Sequence, residues 1–216
     1  MNICGIDEAG RGPCIGPLVL GAVVIEKVDE EKLREIGVKD SKQLTPAKRE
    51  EMAPLVRAAS LEHATLAIPP SELDDLMDRK SLNEIEAMKI GQLLNQLRHK
   101  PEVCYIDSPD TIAANFAKRI KPYLSFQCRL KTEHKADIKY PVVSAASILA
   151  KVDRDHAITA LEPIWGKLGS GYPHDPATIS FLEKYVAHHK RLPSICRHKW
   201  ETSQRILAKQ HQTKLF

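Results

Sequence analysis

Residues 18–27, LVLGAVVIEK, put Leu, Val and Ile at most positions and contain no proline. A run so rich in β-branched side chains is a strand, and it needs a sheet to join. The shorter apolar run Asn2–Asp7 supplies a neighbour. The link between them, Gly10-Arg11-Gly12-Pro13-Cys14-Ile15-Gly16-Pro17, is so dense in Gly and Pro that it reads as a shaped loop. Downstream, helix and strand signals alternate. Thr45-Pro46 supplies an N-cap and a first-turn proline for a helix to about Ala59, and Leu61–Ile68 reads as a strand. Pro69-Pro70-Ser71 opens acidic helical sequence, and Ser81–Arg98 carries apolar residues at helical spacing. Glu102–Asp107 is a short strand, Pro109–Ile120 a helix, Ser125–Thr132 a strand and Val142–Leu161 a helix of small residues. This order predicts an α/β fold, a mixed sheet with helices on its faces, over residues 1–165. A Gly/Pro-rich loop at Gly166–Pro176 then leads into a basic helical extension over 166–216, with helices at Ala177–His188 and Lys199–Gln210.

Composition narrows the class. With 216 residues, 43% apolar and 28% charged, the chain can bury a core without crosslinks, which excludes a disordered chain and a small disulfide scaffold. No apolar run approaches the roughly 18 residues of a membrane span. The start, Met1-Asn2-Ile3-Cys4-Gly5-Ile6-Asp7-Glu8, has neither a basic n-region nor a long apolar stretch, so no secretory signal is expected. The five cysteines are odd in number and widely spaced, which predicts free thiols in a reducing cytoplasm. From His188 to Phe216 seven Lys/Arg face one acid, a surplus larger than the net +4 of the whole chain. Such a tail is either a solvated helical face or a phosphate-tracking appendage.

Acids stand where strands end. Asp7 and Glu8 close the first strand, Asp107 closes Cys104-Tyr105-Ile106-Asp107, and Asp137 lies just before the helix at Val142. Clustered carboxylates repel, and proteins that gather them usually neutralise them with a hard cation. Oxygen-only ligands favour magnesium or manganese, and two such ions suit phosphoryl transfer. The same acids also fit a plainer role, as turn and helix caps with Asp137 at the surface. Gly10-Arg11-Gly12 lacks the Walker Gly-Lys-Ser/Thr ending, yet its glycines let backbone N–H groups approach a ligand. Lys42, in Asp40-Ser41-Lys42-Gln43-Leu44, precedes a helix N-terminus and could meet a phosphate or be a solvated lysine. Tyr172, in Gly169-Ser170-Gly171-Tyr172-Pro173, could stack on a nucleoside or simply pack. The histidines show no zinc-binding spacing.

Six segments in order, Asp7-Glu8-Ala9-Gly10-Arg11-Gly12-Pro13, Asp40–Leu44, Tyr105-Ile106-Asp107-Ser108, Lys135-Ala136-Asp137, Val143–Val152 and Gly169–Pro173, resemble ribonuclease HII, the type 2 ribonuclease H, over nearly the whole chain. The form is most similar to archaeal single-chain members. The resemblance implies a ribonuclease H-like five-stranded mixed sheet with a C-terminal helical extension. It implies a monomeric, cytoplasmic endoribonuclease that cuts the RNA strand of RNA–DNA hybrids and incises 5′ to single ribonucleotides in duplex DNA. It further implies two Mg2+ or Mn2+ ions held by Asp7, Glu8, Asp107 and Asp137. Gly10, Arg11 and Gly12 would read the ribose 2′-hydroxyl, Tyr172 would stack on the following sugar, and Lys42 would hold a nearby DNA phosphate. Two residues depart from the family pattern, Cys14 in place of an aliphatic residue and His174 in place of a small polar one. The apolar pair Leu215-Phe216 is a frayed end or a docking tail for a sliding clamp. Competing readings are a related nuclease with the acids but without the Gly10–Gly12 and Tyr172 elements, and a non-catalytic hybrid-binding module.

Overall fold

The structure, a computed structural model, describes residues 1–38 and 44–212. Lys42 and the Leu215-Phe216 pair lie outside the described residues. Five strands, β1 (Asn2–Ala9), β2 (Leu18–Glu26), β3 (Glu62–Ile68), β4 (Val103–Asp107) and β5 (Arg129–Glu133), form one sheet in the order β3-β2-β1-β4-β5. β1 and β2 pair antiparallel, whereas β1–β4 and β4–β5 pair parallel, so the sheet is mixed as the element order predicts. The helices are α1 (Glu30–Ile36), α2 (Pro46–Ala59), α3 (Pro70–Met77), α4 (Leu82–Gln96), α5 (Ala113–Ile120), α6 (Ala136–Lys139), α7 (Pro141–Thr159), α8 (Glu162–Trp165), α9 (Pro176–His189) and α10 (Glu201–Gln212).

Most starts and stops follow local chemistry. The Thr45 side chain accepts the Lys48 N–H and Pro46 opens α2. Ser81 and Glu84 form a reciprocal capping box for α4. The structure departs from the sequence reading at element edges. α5 begins at Ala113 rather than Pro109, because Ser108 donates its N–H to Glu133 O and its hydroxyl reaches Ala113 O, which holds residues 108–112 as a loop. β5 begins at Arg129, not Ser125, because the Ser125 N–H is taken by Asn95 of α4. The short helices α1, α6 and α8 carry too few residues for a periodic pattern to announce them.

The chain forms two compact units. The first comprises Met1–Ala9, Val19–Leu66 and Ser81–Asp153, and the second Gly10–Leu18, Ala67–Lys80 and Arg154–Phe216. In the first, Ile3, Val23, Ile25, Val56, Val143 and Leu149 are fully buried in a core between the sheet and its helices. In the second, Ile15, Leu168, Leu182, Val186 and Cys196 form a separate core. All five cysteines are free thiols, with only Cys128 partly exposed. Among the described residues no helix is long and apolar enough to cross a membrane.

Two glycines set how closely α7 lies on the sheet. A Cβ on Gly5 would fall 2.2 Å from the carbonyl of Val142, and one on Gly21 would fall 2.3 Å from Ala146 O. The helix backbone therefore rests directly on β1 and β2, and the buried Ser144 and Ser147 come down with it. Gly5→Ala should cost about 3 kcal/mol through overpacking against backbone that cannot step aside. Urea denaturation reads this as a lower midpoint, and an unchanged midpoint would mean that α7 tolerates displacement.

Candidate active site

Asp7 and Asp107 are brought side by side through register. β1 and β4 pair in parallel through Ile3–Val103, Cys4–Cys104, Gly5–Tyr105 and Ile6–Ile106. The next position on each strand is Asp7 and Asp107, and side-chain alternation puts both on one face, at the C-terminal ends of adjacent strands. This is the end of an open α/β sheet where ligands generally bind. Asp7 is buried and its Oδ1 accepts the Glu8 N–H at 2.8 Å. Its cross-strand partner is Gly21, whose missing side chain leaves room for α7 above it.

Asp107 is anchored from another direction. Its Oδ1 accepts the Ala136 N–H at 2.7 Å. Lys135, in the left-handed region at φ 56°, turns the chain into α6 at this point. The bond fixes the residue directly before Asp137, which is itself only 2% exposed. Sequence distance concealed this approach, since 29 residues separate the bonded pair. Glu8 is half-buried and follows Asp7 in the strand, so the pleat starts its side chain from the opposite face.

Electrostatics bear on what the cluster can hold. Burial, reinforced by the charge of Asp107 and opposed by Ser147, the Glu8 N–H and Lys151, raises the Asp7 carboxyl from 3.8 to about 6. Two carboxyls side by side in a buried site form an arrangement that a cation relieves. Among the described residues no three His, Cys, Asp or Glu side chains converge enough to enclose an ion by themselves. Magnesium does not need such a cage, because it keeps several waters and takes one or two carboxylates together with substrate phosphates. The all-oxygen donor set and the raised Asp7 fit a hard divalent cation of that kind.

The second unit builds a different device. Arg197 is fully buried, and its guanidinium donates to three main-chain carbonyls: Gly16 O at 2.9 Å, Arg11 O at 3.2 Å and Gly10 O at 2.6 Å. A trans peptide points its N–H opposite its C=O. Capturing the carbonyls of Gly10 and Arg11 therefore turns the N–H groups of Arg11 and Gly12 away from Arg197. Gly10 sits at φ 81°, and a Cβ there would meet Pro17 O at 2.8 Å, so only glycine makes this turn. Burial lowers the Arg197 pKa to about 10, with the charge of Arg154 contributing, which leaves the side chain cationic at neutral pH.

Tyr172 belongs to the same device. Cys14 and Ile15 both donate their N–H to Gly171 O, at 2.9 and 3.3 Å, and the Cys14 thiol reaches the same oxygen at 3.3 Å. The unexpected cysteine thus fills an aliphatic-sized space and adds a weak hydrogen bond. The Arg154 guanidinium lies 5.1 Å from the Tyr172 ring centroid and donates to Ser170 O at 2.5 Å. Thr178 accepts the Gly171 N–H and donates to Leu168 O, both at 2.9 Å. Asp175 accepts from Ser170 N and caps α9 through Ala177 N, and these bonds lower its pKa to about 2. A Cβ on Gly12 would stand 3.7 Å from the Tyr172 ring, so the glycine loop and the tyrosine face each other. His174 packs its ring 5.4 Å from that of Tyr172. Arg197, Arg154 and Thr178 escaped the sequence reading. Arg197 was one of seven cations in a basic tail, and nothing in its spacing marks it as buried.

A mixed five-stranded sheet, with Asp7 and Asp107 at the ends of the adjacent parallel strands β1 and β4, is the ribonuclease H-like fold. The family model for ribonuclease HII matches residues 4–203. A ribonuclease HII of Pyrococcus horikoshii is 47% identical over 206 residues, covering 95% of this chain and 93% of that protein. The crystal structure of ribonuclease H2 from the same organism superposes with a TM-score of 0.92 at 46% identity, over 98% of this chain and 100% of that one. The RNase HII in the PCNA:RNase HII complex from Archaeoglobus fulgidus gives 0.85 at 41% identity, over 93% of this chain and 96% of that one. The chain belongs to the ribonuclease HII family. It is a metal-dependent endonuclease that cleaves the RNA strand of RNA–DNA hybrids.

Proposed function

We propose that this enzyme also incises duplex DNA on the 5′ side of a single embedded ribonucleotide, leaving 5′-phosphate and 3′-hydroxyl ends. The observation that carries the reading is the fixing of the Gly10–Gly12 loop by Arg197, which leaves rigid backbone donors opposite an aromatic ring. A 2′-hydroxyl is what distinguishes RNA from DNA at one nucleotide. A site built to hydrogen-bond a hydroxyl rejects the analogue lacking it by about 10⁴-fold. In this reading the Gly10, Arg11 and Gly12 backbone takes the 2′-hydroxyl and Tyr172 stacks on the next sugar. Lys42 holds a nearby DNA phosphate.

Two Mg2+ or Mn2+ ions would be held by Asp7, Glu8, Asp107 and Asp137. When bound, such a pair supplies an activated water and charge stabilisation for the leaving oxygen. The protein contributes placement. Asp7 is fixed by its bond from the Glu8 N–H and by Ser147, and Asp107 by the Ala136 N–H. Preorganised carboxylates avoid the reorganisation that free ligands would undergo at the moment of reaction. The basic extension tracks the nucleic-acid backbone, and the protein works as a cytoplasmic monomer. Because the Archaeoglobus relative was solved with PCNA, we extend the reading to a clamp contact through Leu215-Phe216.

The test is a labelled DNA duplex with one ribonucleotide, incubated with magnesium or manganese beside an all-DNA control. A single cut 5′ to the ribonucleotide is expected, with none in the control or with Asp107→Asn. Cleavage of RNA–DNA hybrid but not of this duplex would keep the nuclease and remove the junction-reading role.

A further inference from the structure

Within the second unit, α9 carries Phe181, Tyr185 and His189 four residues apart, hence along one helix face. Their rings form a ladder, with centroids 6.1 Å apart from Phe181 to Tyr185 and 4.2 Å from Tyr185 to His189, the latter pair stacked. Trp165, at the end of α8, sets its ring 5.7 Å from Tyr185. All four rings line a groove of about 510 Å³, and Trp165 and Tyr185 also line a second of about 460 Å³.

The rims are cationic. Lys167 and Lys184 border the first groove, Lys190 and Arg191 the second, and neither lining contains an aspartate or glutamate. Among the described residues no carboxylate ion-pairs with Lys167, Lys184 or Arg191. Other cations of the extension are matched, as Lys199 is by Asp78 and Lys209 by Glu183. Uncompensated charge around partly exposed aromatic rings favours a ligand that brings both negative charge and flat rings. Unpaired nucleotides do so, since each base offers a face for stacking and each phosphate an anion. A duplex hides its base faces, and an acidic peptide has no regular supply of rings.

We propose that this aromatic ladder is a binding site for a short stretch of single-stranded nucleic acid, distinct from the carboxylate cluster and from the Gly10–Gly12 loop. The proposal goes beyond the ribonucleotide-incision reading and does not depend on it, because binding is measured without metal and without cleavage.

The test titrates the full chain in EDTA with a ten-nucleotide oligo(dT), following tryptophan fluorescence and the anisotropy of labelled oligo(dT). Saturable quenching is expected. Affinity should fall about tenfold between 50 and 200 mM salt if two or three phosphates are neutralised. Tyr185→Ala should weaken binding about tenfold or more. Lys184→Glu, at an exposed position that keeps the fold intact, should weaken it several-fold. Trp165→Phe should lose the quench yet still bind by anisotropy. Poly-glutamate should not compete. The proposal is overturned if Tyr185→Ala binds oligo(dT) as tightly as the parent, if poly-glutamate displaces it, or if Lys184→Glu leaves affinity unchanged. In every variant cleavage of a ribonucleotide-containing duplex serves as the independent readout, so loss of oligo(dT) binding and loss of incision are told apart.

Discussion

Asp7→Asn should abolish cleavage while making the metal-free protein more stable. The two effects share one cause. Asp7 is buried beside Asp107, and its carboxyl is raised from 3.8 to about 6. Between those values the folded protein holds a proton that the unfolded chain has released. Stability of the metal-free protein therefore falls as pH rises from about 4 to about 6, and the loss persists at neutral pH. Its size is up to about 3 kcal/mol, taking 1.36 kcal/mol per pKa unit. Asparagine keeps the shape and the acceptor for the Glu8 N–H but carries no charge. In EDTA at pH 7 the variant should melt several degrees above the parent, and the difference should vanish at pH 4. Magnesium should raise the melting temperature of the parent and do much less for the variant. Cleavage should fall by about 10³-fold or more, because a preorganised charge at the reacting centre is lost. A variant that melts below the parent at pH 7 would show that the Asp7–Asp107 pair is not a source of strain.

Arg197→Met should be the most damaging change in the second unit. It leaves the carbonyls of Gly10, Arg11 and Gly16 buried without their donor. Removing the cation at the centre of such a set costs about 3–5 kcal/mol. Arg197→Lys keeps the charge but not the planar fork, so it cannot serve three carbonyls in these directions. The lysine variant should remain folded at low temperature and lose about 10²-fold in kcat/KM on the single-ribonucleotide duplex. Its discrimination against all-DNA duplex should narrow as well. Both are read by single-turnover cleavage at a temperature where circular dichroism shows the variant folded. A folded lysine variant with parental kcat/KM and discrimination would remove Arg197 from the positioning of the loop.

Local signals were legible where the cause was local. The β-branched run of β2, the Thr45-Pro46 start of α2 and the Ser81 capping box each act over a few residues, and each was readable in sequence. Loop 108–112 and the start of β5 were not, because Glu133 and Asn95, which hold them, lie far along the chain. Asp7, Glu8 and Asp107 were visible as strand-ending carboxylates and Asp137 as an acid just before a helix, and the six ordered segments pointed to the family. That Asp7 stands beside Asp107, and that the residue before Asp137 is bonded to Asp107, was not visible, because the first depends on the parallel register of β1 with β4 and the second on a contact across 29 residues.

By itself, then, the sequence determined the five strands, the longer helices, the strand-terminal position of Asp7 and Asp107, and the resemblance to the family. Residue type and short-range spacing suffice for the elements and the acids, and the six ordered segments carry the resemblance. Only the tertiary structure decided that Gly5 and Gly21 bring α7 onto the sheet, and that Asp7 is buried beside Asp107. It alone set a cation of the basic tail at the centre of the loop at residues 10–16. Each depends on a register or a contact between distant residues, and a linear pattern of side chains carries no distance across the fold.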